Sequence, residues 1–124
     1  MNYSDDEFIS AVESCTIDSF HHSDHIRLAW LYCERFGLPE ASRRIVETIQ
    51  RFAAHAGQSD KYHHTMTLAW IRIVDAAQRA GPPSLAAHPG LLDKAALSAY
   101  YSPETLSTAQ ARTTWVQPDR TRLP

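Results

Sequence analysis

The stretch HHSDHIRLAWLYCERFG, residues 21–37, reads as one amphipathic helix closed by a glycine. At 100° per residue, Asp24, Arg27, Glu34 and Arg35 fall on one side and Ile26, Ala29, Cys33 and Phe36 on the other. That is a helical period, and the stretch is too long for an ordinary strand. Gly37 then supplies the left-handed residue that commonly ends a helix. Two imidazoles break the usual rule for such a wheel. His22 and His25 lie on the apolar side, one turn apart, while His21 sits at its edge.

Working outward, glycine and proline punctuate the rest of the chain. Upstream, Ser4 caps a first helix whose opening Asp5, Asp6 and Glu7 suit the helix dipole; Phe8, Val12 and Cys15 face inward, and the helix ends near Cys15. Downstream, Pro39 opens a third helix with an inner stripe of Ile45, Ile49, Phe52, Ala53 and Ala56, and Gly57 stops it. A fourth helix runs from about Lys61 to Ala80, before Gly81-Pro82-Pro83.

Beyond that break the expectation is a shorter fifth helix in LLDKAALSAYY (91–101), and another from the Ser102-Pro103-Glu104 cap towards Arg112. The tail WVQPDRTRLP (115–124) should be irregular and tied down by Trp115 and Val116. No period-2 alternation of useful length competes with this reading. The predicted fold is all-α: one domain over 1–124, with a four-helix bundle-like core at about 4–81 and a C-terminal extension at about 84–124.

Composition narrows the function. A formal charge of −2 gives no excess of cations for a nucleic-acid surface. Cys15 and Cys33 are far apart and outside any CxxC spacing, so neither a disulfide framework nor a thiolate zinc site is expected. The acidic start MNYSDDEF has no signal-peptide character, and no apolar run reaches the ~18 residues of a membrane span. A cytoplasmic protein without a membrane partner is expected.

The fourth helix repeats the histidine pattern of the second. Arg72, Asp75, Gln78 and Arg79 mark its polar side; Tyr62, Met66, Ala69, Trp70, Ile73 and Ala77 mark the apolar side. His63 falls beside Trp70 on the apolar side, and His64 falls with the polar set. Helices two and four, separated by one helix in an up-down-up order, should start at the same end of the bundle. His22, His25 and His63 are then expected to share one layer at its mouth.

Three neutral imidazoles form a sufficient first shell for a divalent transition metal such as zinc, copper or iron, with a coordination position left open. The expected function is therefore a small-molecule metalloenzyme, hydrolytic or isomerising with zinc and oxidative with iron or copper. Around the metal, Tyr62 would donate a proton or hydrogen bond, Asp24 would orient a ligand or act as a surface cap, and His64 would serve as an acid–base group at the rim. Two alternatives stand beside it: a metal- or ligand-binding module without catalysis, and an interaction protein whose inward histidines are hydrogen-bonded core residues. The tail aromatics also point to a homodimer.

Three blocks of the chain, FHHSDHIRLAW, YHHTMTLAW and LLDKAALSAYYSPETLSTAQARTTWVQPD, match the patterns FxHxxH[LI]RxA[WY], YHxTxTxxW and LLDK…YYSxE…ARxxWVxPD. In these the chain resembles a family of small bacterial all-helical proteins. The resemblance picks out His22, His25 and His63, and leaves His21 and His64 as variable positions. It implies that the C-terminal block, with Tyr100, Tyr101 and Trp115, closes over the bundle mouth as a lid or an interface.

Overall fold

A computed structural model describes residues 3–124. The fold is all-α, with helices α1 (Asp5–Glu13), α2 (His22–Phe36), α3 (Leu38–His55) and α4 (His64–Ala80), followed by two short helices, α5 (Pro103–Leu106) and α6 (Ala109–Thr113). Ser4 caps α1 through a reciprocal pair: its hydroxyl accepts from the Glu7 amide at 3.2 Å, and the Glu7 carboxylate accepts from the Ser4 amide at 2.9 Å. Helices α2 and α3 meet at Gly37, whose φ of +78° with ψ of 163° is open to glycine almost alone. Gly57 (φ +70°) follows α3.

Two contacts fix how α2 and α4 lie. The His22 ring packs on Trp70 at 4.6 Å between centroids, and Gln78 donates to the Trp30 carbonyl at 3.0 Å. A step of eight residues along α2 thus matches a step of eight along α4 in the same direction, so the two helices run parallel, as the up-down-up order requires. Ile26, Leu28, Ala41, Ile45, Ile71 and Val74 are buried between α2, α3 and α4.

The chain departs from the sequence expectation in several places; among them Phe36, Ala56 and Met66, assigned to inner faces, are exposed. Helix α4, expected from about Lys61, begins at His64: Lys61 ends a short 3₁₀ turn (Ser59–Lys61), and His63 is the residue that caps α4. The expected fifth helix is a pair of 3₁₀ turns, Pro89–Leu92 and Lys94–Ala99, because the Pro-Gly start and Asp93 interrupt an apolar run too short to nucleate an α-helix unaided. The helix expected from Ser102 to Arg112 is divided by Thr108, whose hydroxyl caps α6 by accepting from the Ala111 amide. Asp75, assigned to the wet side of α4, is buried and paired with Arg79 at 2.9 Å.

The C-terminal extension belongs to the same core. Leu91, Leu97, Tyr101 and Leu123 are buried in one cluster with the bundle residues. Thr65, fully buried in α4, fastens the tail with one hydroxyl, donating to the Thr114 carbonyl at 2.7 Å and accepting from the Val116 amide at 3.1 Å. Tyr101 donates to the Val116 carbonyl at 2.6 Å, and the Arg72 guanidinium lies over the Trp115 ring. Cys15 and Cys33 are free thiols. No helix among the described residues is long and apolar enough to cross a membrane.

Candidate functional site

A cavity of about 420 Å³ opens at the start of α2 and α4. Its wall is apolar on the bundle side, from Ile45, Ile49 and Trp70, and it is lined by His22, His25, His63 and Tyr62. The three imidazoles selected from the sequence therefore converge on one space. Phe20 completes the wall, stacking on His25 at 4.4 Å and on Phe52 at 5.1 Å between centroids.

Each imidazole has a different occupation. His63 uses both ring nitrogens. Nδ1 accepts from the Met66 amide at 3.1 Å, capping α4, so the proton sits on Nε2, which donates to the Leu106 carbonyl at 2.8 Å. Its inward direction thus comes from an N-cap and not from a helical face. His22 sets Nε2 against the Leu91 carbonyl at 3.0 Å. Both carbonyls belong to the C-terminal extension, so these two histidines clasp that segment to the bundle mouth.

His25 is different. Among the described residues neither of its ring nitrogens has a protein partner, yet no fully buried side-chain nitrogen or oxygen is left unpaired. Its polar edge therefore opens into the cavity. Burial pushes its pKa down to about 4, with His22 and Lys94 opposing protonation further and Asp24 favouring it. At neutral pH His25 is an uncharged donor and acceptor.

Tyr62 lies at the cavity wall before α4, its hydroxyl 2.8 Å from His64 Nδ1. Burial raises the phenol above its usual range, so it remains protonated at neutral pH. His64 stands behind Tyr62, half-buried. Asp24 is a cap: its carboxylate accepts from the His21 amide at 2.9 Å and fixes the entry into α2. The hydroxyl of Thr67 bonds back to the His63 carbonyl at 2.8 Å. His88, without a partner in the sequence reading, bonds the Pro82 carbonyl at 2.9 Å and packs on Trp30.

In this arrangement the three imidazoles are not equally free to hold a metal. His63 has no lone pair to give while it caps α4. His22, for its part, packs on Trp70 and sets Nε2 against the Leu91 carbonyl. Among the described residues no three His, Cys, Asp or Glu side chains are grouped to hold a metal ion. Comparison with protein-family models, with curated proteins and with solved structures finds no match for this chain.

The sequence reading missed the two lysines. Lys61 and Lys94 both line the cavity, one ahead of α4 and the other in the C-terminal extension. Neither is singled out by the sequence, and only the folding of the extension places both on one cavity.

Proposed function

We propose that the protein binds a small organic molecule in the cavity at the start of α2 and α4, and presents it with two neutral polar groups, His25 and Tyr62. The observation that carries this reading is the unpaired edge of His25 opening into a concave, largely apolar space, since pockets of roughly 300–1,000 Å³ with few convergent polar groups are the usual form of a small-molecule site. Kept uncharged, His25 accepts or donates a proton to a bound molecule, and Tyr62 donates, with His64 behind it as the route by which its proton is replaced from solvent. His22 and His63 hold the extension that closes the site. The test is an amide-resolved NMR titration of a fragment collection against the wild type and His25→Phe. Shifts clustered on cavity residues, weakened or lost in the variant, are expected; shifts scattered over the surface overturn the reading.

A second reading is a metal site built on α2. It is favoured by the spacing of His22 and His25, one turn apart, with Nδ1 of His22 and both nitrogens of His25 unengaged among the described residues. In this reading the trihistidine metalloenzyme requires His63 to release Leu106 and its cap. Elemental analysis of untagged protein beside His22→Ala, His25→Ala and His63→Ala separates the cases. Near-stoichiometric metal lost in all three variants supports the full triad. Loss in the first two alone supports a two-histidine site, and metal at background throughout sinks the metal reading.

A further inference from the structure

We propose that the molecule taken by this cavity carries an anionic group, a carboxylate or a phosphate, held between Lys61 and Lys94. The inference rests on the cavity being a binding site, and it deepens that reading by assigning a class of ligand.

The distribution of charge carries it. The chain contains ten arginines and only two lysines, and both lysines line this one cavity although 33 positions separate them. Five of the ten arginines, Arg27, Arg35, Arg43, Arg44 and Arg79, pair with carboxylates, and none of the ten lines the cavity. Among the described residues neither lysine has an acidic partner, and none of the chain's 14 Asp and Glu residues lines the cavity, in a protein of net charge −2. The ionisable groups facing the space are therefore lysine, histidine and tyrosine alone. That gives a lining whose only full charges are positive, with the nearest carboxylate felt at His25, that of Asp24, drawn into the α2 cap outside the wall. The charge of Lys94 reaches His25, where it opposes protonation against the larger, favouring effect of Asp24.

The two ammonium groups belong to different parts of the fold. Lys61 precedes α4, and Lys94 lies in the extension clasped by His22 and His63. An anion between them joins the extension to the bundle, while an organic body packs on Trp70 and Ile49. Lysine suits this task because its ammonium is a compact charge on a flexible stem and tolerates either oxyanion geometry.

Benzoate, phenyl phosphate and the neutral isostere benzamide, titrated by NMR into the wild type, Lys61→Ala, Lys94→Ala and the double variant, test the proposal. One or both anionic probes are expected to bind more tightly than benzamide, to weaken about 3- to 10-fold with each lysine removed, and to weaken further as salt is raised. Preference between benzoate and phenyl phosphate identifies the oxyanion. Benzamide binding as well as the anions, with the variants unchanged, overturns the anion while leaving the cavity as a binding site. If no probe shifts a cavity amide at tens of millimolar, the binding site itself fails and the proposal with it. The lysines are exposed, so the variants should fold, and unchanged amide spectra outside the cavity verify this.

Discussion

The Nε2–H of His63 donates to the carbonyl of Leu106 at 2.8 Å, while Nδ1 of the same ring caps α4 by accepting from the Met66 amide. One imidazole thus starts a bundle helix and holds the C-terminal extension. Replacing it separates the two tasks. Asparagine is a good N-cap but too short to reach Leu106, whereas alanine loses both bonds. His63→Asn should cost about 1 kcal/mol and His63→Ala about 2 kcal/mol, read from urea unfolding at constant slope. Equal losses in the two variants would show that the cap contributes nothing.

The same residue shows how far the sequence can be read. The wheel placed His63 inward because it is seven positions from Trp70, and the chain does turn it inward, but through a cap formed after the 3₁₀ turn at Ser59–Lys61. Helices α2 to α4 were legible because Gly37, Pro39, Gly57 and Gly81 bound long periodic runs. The pairing of His22 with Leu91 and of His63 with Leu106 was not, since it joins residues 69 and 43 positions apart through backbone carbonyls that have no residue signature. For the same reason Lys94 could not be assigned to the site, and the buried Asp75 could not be told from its exposed neighbours.

Thr65 holds the tail to α4 with one buried hydroxyl that both donates, to Thr114, and accepts, from Val116. Thr65→Val keeps the shape and removes both bonds. It leaves a carbonyl and an amide unpaired, so a loss of about 1–3 kcal/mol is expected. The local consequence is sharper than the global one: trypsin should cut at Arg120 and Arg122 sooner than in the wild type. Thr65→Ser, which keeps the hydroxyl, should restore protection; if it does not, the methyl group and not the hydrogen bonds holds the tail.

Gly81 sits against His88. A Cβ at position 81 would lie 2.6 Å from His88 Cε1, and the ring is held there by its bond to the Pro82 carbonyl and its packing on Trp30. Gly81 has φ −128°, which any residue adopts, so the obstacle is the ring alone. Gly81→Ala should therefore destabilise by about 1–3 kcal/mol. In a His88→Ala background the same change should become neutral or stabilising by about 0.4–1 kcal/mol, through the restricted unfolded chain. A thermal double-mutant cycle reads the change of sign, and additive effects would mean that the two residues do not meet.

His25 makes stability depend on pH in a defined window. Its pKa is near 4 in the folded protein against an ordinary 6.5, because burial disfavours the charged ring. Above about pH 6.5 neither the folded nor the unfolded chain protonates it, and it contributes no slope. Between about 6.5 and 4 the unfolded chain takes up the proton and the folded chain does not, so stability falls as pH falls, by of order 3 kcal/mol across the window. Urea midpoints of wild type and His25→Gln at pH 7.5, 6, 5 and 4 should converge towards acid, with the variant lacking the part of the slope that His25 supplies. An anion bound between Lys61 and Lys94 would favour the protonated ring and raise the folded pKa, so adding a ligand that binds there should flatten the wild-type slope. Parallel midpoints for the two proteins over the whole range would mean that the ring is already solvated in the folded state, and the open edge assigned to it in the cavity would have to be given up.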